Sequence, residues 1–127
     1  MIAGIGTDII EVERIAAKIE KENGFRELVF SKNEIHYCES KAHKYEHYAA
    51  RLAVKEALAK ALGTGWLDGT NIYEAEVLND EKGKPYLNFV GETAAIISAM
   101  DFTAFHVSIS HTRSMASAVV IVEKKDG

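Results

Sequence analysis

The chain has 127 residues, 47% hydrophobic and 27% charged, with a formal net charge of −4. This is the length and balance of one soluble globular domain, residues 1–127, large enough to bury a real core. An acidic chain argues against general nucleic-acid binding, which needs a basic face, but leaves room for a local basic patch.

The N-terminal stretch MIAGIGTDII lacks the basic region that precedes the apolar core of a signal peptide. No apolar run approaches the roughly 20 residues of a membrane span. The expectation is a cytoplasmic protein that does not engage membrane. Ile2–Thr7 reads as a first strand, in which Gly4 and Gly6 allow another backbone or a ligand to come close. Asp8 follows at its end. It can cap the next helix, with Glu11 completing a capping box, or it can offer a carboxylate to a metal. From Ile9 to about Glu22 the pattern is amphipathic, with Ile9, Val12, Ile15, Ala16 and Ile19 on the apolar face. Arg14, Lys18 and Lys21 line one stripe of this helix, either a solvated face or a docking stripe for an acidic partner.

Phe25–Phe30 is a short apolar segment, and Ser31 with Glu34 forms a second capping box opening a helix through about Glu39. Residues 40–47, SKAHKYEH, are polar and serve as a connection or as the exposed start of the next helix. His43 and His47 have a spacing that could bind zinc on a helix, but no third or fourth ligand is evident. Cys38 is the single cysteine, so no internal disulfide can form and a reducing compartment fits.

Arg51–Gly65, RLAVKEALAKALGTG, reads as the main helix, rich in Leu and Ala and stopped by Gly63-Thr64-Gly65. Glu56 and Lys60 share one stripe; Arg51 and Lys55 share another. The rest is apolar almost all round, so a helix bound for the interior carries four charges, which are costly unless paired or bound to a ligand. Glu56 and Lys60 could pair with each other at i,i+4. Alternatively, Glu56 holds a divalent cation and Lys60 neutralises a phosphate.

Ile72–Leu78 and Tyr86–Val90 read as strands of a hairpin closed by the turn Asn79–Pro85, NDEKGKP. Gly91–Met100 looks helical. Phe105–Ser110 alternates as a strand, a connection around His111–Ser114 follows, and Met115–Glu123 is a long buried antiparallel strand. His111 belongs either to a turn, with Ser110 and Thr112 bonding local backbone, or to the rim of a ligand mouth. The expected fold is α+β, with an antiparallel sheet around a long central helix.

Three motifs occur in one order: GIGTDIIEVERI from Gly4 to Ile15, RLAVKEALAKALGTG from Arg51 to Gly65, and VSISHT from Val107 to Thr112. With GKPY at Gly83–Tyr86, they closely resemble the holo-acyl-carrier-protein synthases, the small bacterial 4′-phosphopantetheinyl transferases. The likeness spans nearly the whole chain. It implies transfer of the phosphopantetheine arm of coenzyme A to a serine of apo-acyl-carrier protein, with release of adenosine 3′,5′-bisphosphate, in fatty acid biosynthesis. It implies Mg²⁺ held by Asp8 and Glu56, with Lys60 on a phosphate oxygen and Glu56 helping to remove the serine proton. His111, with Thr112 beside it and Arg51 as a second partner, would bind phosphates of the nucleotide end, and Gly83-Lys84-Pro85 would line the adenine side. Arg14 would dock the acidic carrier, and Lys18 and Lys21 extend its stripe. A homotrimer with sites between subunits is implied too, and a neighbouring subunit would then explain the apolar breadth of the main helix. Residues 36–48 carry no such signal, leaving Cys38, His43 and His47 without a role. Two other readings are a Mg²⁺-dependent hydrolase of a pyrophosphate compound, and a non-catalytic module that binds coenzyme A or a carrier protein.

Overall fold

A computed structural model describes residues 1–63 and 65–125. In chain order they form β1 (Ile2–Glu11), α1 (Val12–Glu20), α2 (Phe25–Val29), α3 (Lys32–Glu39), α4 (Lys44–Leu62), a 3-10 turn (Ile72–Glu74), β2 (Ala75–Asn79), β3 (Pro85–Phe89), α5 (Gly91–Ser98), β4 (Phe102–His111) and β5 (Met115–Lys124). The fold is α+β, as expected, with antiparallel sheets around a long helix. One sheet has the order β1-β5-β4, and β2 and β3 form a separate hairpin.

The first strand is longer than its glycines suggest. It runs on through Asp8 to Glu11, paired residue by residue with β5 from Asp8↔Ala118 to Glu11↔Met115. Ile9 is therefore a strand residue, not the start of a helix. The capping box of Asp8 and Glu11 does not form: Glu11 is the N-cap of α1 and makes no side-chain cap bond. The stretch IIEVERI can satisfy either period, and β5 supplies a ladder that a local helix cannot match. Even the first helical amide, that of Val12, donates to Ser114 O at 2.9 Å. The second capping box does form, with Ser31 and Glu34 exchanging backbone-to-side-chain bonds. The segment at Phe25 closes into the single-turn helix α2, and Ile72–Glu74 forms a 3-10 turn ahead of β2.

The long helix α4 is enclosed by its own chain. Val54, Ala57 and Ala61 pack with Val120 and Val122 of β5 and with Val77 of β2, while Tyr48, Ala49 and Ala50 pack with Ile15 and Ile19 of α1 and with Phe30. This corrects the expectation that a neighbouring subunit accounts for the helix's apolar breadth. Uncovered apolar surface includes the outer face of β1, where Ile5 is 61% and Ile9 65% exposed, and Leu28 of α2. Gly63 ends α4 with φ of 84°, the left-handed conformation in which glycine carries no Cβ strain. Thr64, the middle residue of the expected helix stop, lies outside the described residues.

Of the buried charges in α4, Lys55 is ion-paired, while Arg51 rests on a neutral amide and a ring and leaves its Nε without a hydrogen-bond partner among the described residues. Lys55 is fully buried; its Nζ donates to Glu34 Oε1 at 2.6 Å, to Val29 O at 3.0 Å and to Ile72 O at 3.1 Å. Arg51, 3% exposed, donates through Nη2 to Asn79 Oδ1 at 2.6 Å and stacks its guanidinium 4.1 Å from the centre of the Tyr37 ring. Cys38 sits in the core, where burial pushes its thiol up to about 12. No helix among the described residues is long and apolar enough to cross a membrane.

Candidate active site between the first strand and the long helix

Gly4 and Gly6 face α4 so closely that a Cβ on either would overlap a backbone carbonyl oxygen of the helix, that of Ala61 for Gly4 and that of Ala57 for Gly6. Strand and helix thus meet backbone to backbone. Asp8, two residues beyond Gly6, points to the same side because strand side chains alternate. There it meets Lys60, whose Nζ donates to Asp8 Oδ1 at 3.1 Å and to Thr7 O at 2.9 Å. The lysine has therefore paired with the strand rather than with Glu56, the i,i+4 partner that helix spacing allowed.

Glu56 stands one turn before Lys60 and accepts no hydrogen bond or ion pair among the described residues. Burial raises its carboxyl above the usual carboxylate range, the charge of Asp8 adds to this, and Lys60 opposes it. Two shallow depressions open here: one is lined by Thr7, Asp8 and Ser117, the other by Glu56, Gly63 and Trp66. Lys60 lines both and stands between them.

The donor set suits a hard divalent cation. It offers two carboxylates and the Thr7 carbonyl, with no imidazole or thiolate, and a carboxylate without a partner gains from a cation. Among the described residues no group of three or more His, Cys, Asp or Glu gathers to close a protein cage. An ion here would keep positions for water and substrate oxygens, as Mg²⁺ prefers.

His111 belongs to a second cluster, toward the other end of α4. Its Nδ1 lies 2.9 Å from Glu46 Oε1, and its ring meets His47 edge-on with centroids 5.3 Å apart. His47 in turn meets Tyr37, the ring that carries Arg51. Burial lowers the His47 imidazole below its ordinary range, and the nearby charges of His111 and Arg51 add to this. The imidazole pair His43 and His47 gathers no further metal ligands among the described residues. Thr112 serves its turn: its hydroxyl accepts from the amides of Ser114 at 3.3 Å and Met115 at 3.2 Å.

Asn79 ties Arg51 to the hairpin tip, accepting from its guanidinium and donating to Gly83 O at 3.0 Å. Arg51 and the Gly83-Lys84-Pro85 turn are thereby brought together. Ten residues of helix separate Glu46 from Glu56, about 15 Å along the axis. Within one chain, then, His111 and the Asp8–Glu56–Lys60 group are separate. Neither Glu46 nor Asn79 carries a signal that sequence reasoning could use; both are defined by partners far along the chain. Arg14 and Lys18 line a groove with Ile9, Ile10, Glu11, Ile15, Leu52 and Met115, while Lys21 lies past it as the C-cap of α1.

A family model described as the 4′-phosphopantetheinyl transferase superfamily matches residues 4–118. The holo-[acyl-carrier-protein] synthase of Cytophaga hutchinsonii is 45% identical over 126 residues, covering 98% of this chain and 99% of that one. The enzyme of the same name from Ruminiclostridium cellulolyticum is 46% identical, covering 96% and 92%. Among solved structures, the holo-[acyl-carrier-protein] synthase of Neisseria meningitidis superposes with a TM-score of 0.89 at 28% identity, covering 98% of this chain and 100% of that one. The Bacillus anthracis enzyme, solved in complex with CoA (3′,5′-ADP), superposes with a TM-score of 0.80 at 35% identity, covering 98% and 99%.

Proposed function

The chain belongs to the 4′-phosphopantetheinyl transferase superfamily, and from that premise we propose that Asp8, Glu56 and Lys60 form its transfer site. The chain is an enzyme that moves the 4′-phosphopantetheine arm of coenzyme A to a serine of apo-acyl-carrier protein, the step that readies the carrier for fatty acid biosynthesis. The serine oxygen forms a bond to the β-phosphorus of the coenzyme's pyrophosphate. The bridging P–O bond breaks, and adenosine 3′,5′-bisphosphate departs with the electron pair. Such chemistry depends chiefly on positioning and on neutralising spread negative charge.

The observation that carries the site assignment is the meeting of Asp8 with Lys60, one turn from Glu56, which has no partner among the described residues. Asp8 and Glu56 would hold Mg²⁺. When bound, the ion would supply charge neutralisation on the pyrophosphate oxygens. Lys60, the more exposed partner at 58% against 19% for Asp8, has the freedom to reach a phosphate oxygen and stabilise the leaving group. Glu56 helps to remove the serine proton.

Arg51, His111, Thr112 and the Gly83-Lys84-Pro85 turn bind the nucleotide end. Arg14, Lys18 and Lys21 receive the acidic carrier, with Arg14 and Lys18 beside an apolar groove. Residues 1–127 act as one domain in the cytoplasm, assembled as a homotrimer whose sites lie between subunits. Two features support the assembly: the exposed Ile5 and Ile9, and the axial distance that separates His111 from Glu56 within one chain.

Intact-mass analysis tests the reading. Apo-acyl-carrier protein, coenzyme A and Mg²⁺ are mixed with the wild type or with Glu56→Ala. The carrier gains one phosphopantetheine mass only with the wild type and only with metal. An unmodified carrier with coenzyme A consumed points to a hydrolase, and an unmodified carrier with coenzyme A merely bound points to a binding module.

A further inference from the structure

Asp8 already has a cation. The Lys60 ammonium takes one carboxylate oxygen of Asp8 and the carbonyl oxygen of Thr7, at 3.1 and 2.9 Å. A carboxylate oxygen with a backbone carbonyl is the kind of oxygen pair that a hard divalent cation also takes. The bond to Thr7 O makes this more than charge matching, because it anchors the amine in one place on the strand. That place lies between the two depressions that hold Asp8 and Glu56.

Resting on the reading of Asp8 and Glu56 as metal ligands, we propose that Lys60 and the metal ion compete for Asp8. The ammonium holds the cation position until a substrate phosphate gives it a better partner. Two cations at the same carboxylate oxygen repel, so the ion gains full access to Asp8 only when the amine leaves. A pyrophosphate offers that exchange, with the ammonium swinging to a phosphate oxygen as the ion takes Asp8. The metal would accordingly enter with the phosphates rather than before them. Lys60 has the reach for this, since most of its side chain is exposed. The same residue would be a phosphate ligand in one state and a placeholder in the other.

The test is Mn²⁺ binding to the enzyme without coenzyme A, followed by electron paramagnetic resonance. Lys60→Ala removes an exposed helical side chain and puts a strong helix former in its place. It is expected to bind Mn²⁺ roughly fivefold more tightly than wild type, the scale set by losing one partly exposed ion pair. Lys82→Ala removes the same charge from the exposed hairpin turn and leaves Mn²⁺ binding unchanged. Equal or weaker binding by Lys60→Ala overturns the proposal. So does an equal gain in Lys82→Ala, because the lysine then acts only at a distance. Asp8→Asn and Glu56→Gln provide the separate control. Unchanged Mn²⁺ binding in both overturns the metal site itself, whereas weakened binding in both with no gain in Lys60→Ala overturns only the competition.

Discussion

Gly6 rests against Ala57 so closely that a methyl group on the strand would overlap the carbonyl oxygen of the helix. The carbonyl belongs to a buried helix backbone and has no room to yield, so the strand must move. Gly6→Ala is expected to destabilise the protein by about 3 kcal/mol or more, at the upper end of overpacking costs. It should also move Asp8 away from Lys60, so transfer activity falls even at temperatures where the variant stays folded. Denaturant unfolding and the mass assay, run in parallel, check both effects.

Glu56 presents a stability cost that serves chemistry. Its carboxyl is held above the usual range, first by burial and then by the charge of Asp8. A group of this kind binds its proton more tightly when folded than when unfolded. The folded state is therefore not penalised in acid, and it loses stability as pH rises from the ordinary carboxylate range through the elevated folded value. Glu56→Gln removes that loss. At neutral pH and without metal its Tm should rise by about 2–4 °C, while transfer falls roughly a hundred- to ten-thousand-fold. A lower Tm would mean that the carboxylate stabilises the fold.

Lys55 and Glu34 test the other kind of buried charge. Lys55→Met takes away the ammonium that touches the fully buried Glu34 carboxyl, and the expected loss is about 3–5 kcal/mol. Adding Glu34→Gln should restore part of it. Urea titrations of the single and double variants form the cycle that measures the coupling.

Arg14→Glu reverses one charge on the groove beside α1 without touching Asp8, Glu56 or Lys60. Affinity for apo-carrier protein should fall at least tenfold and become less salt-sensitive, while coenzyme A binding stays unchanged. Surface plasmon resonance for the carrier and calorimetry for coenzyme A separate the two, and equal losses would contradict the docking role.

Ile9→Glu places a charge on the exposed outer face of β1. The single chain should keep its circular dichroism spectrum, but sedimentation should shift from the proposed trimer to monomer, with transfer activity lost. A variant that remains trimeric would remove this face from the interface.

The juxtaposition of the proposed site residues was legible in local spacing, while their assignment to a metal and a phosphate came from the motif resemblance. Glu56 and Lys60 are one helical turn apart, and Gly4, Gly6 and Asp8 alternate toward one side of a strand. What stayed hidden depends on partners remote in sequence. The strand overruns its glycines because β5 pairs with Asp8–Glu11. Lys55 finds Glu34 across 21 residues, and His111 finds Glu46 across 65. A helical wheel shows that Lys55 needs a partner but cannot say which. The same local logic left Lys60 free to pair with Glu56, and tertiary contact gave it to Asp8 instead.

The carboxylate of Glu34 joins three pieces of the chain at once. It closes the capping box of α3 and holds Lys55 of α4 through one oxygen, and it accepts the amide of Val77 in β2 at 2.9 Å through the other. An opening that frees the hairpin must break this junction and strand a charge in the core. The hairpin therefore has no cheap way to detach alone. Although it lies outside the main sheet, its Val77 amide should exchange with solvent as slowly as the slowest amides of β5, through global unfolding.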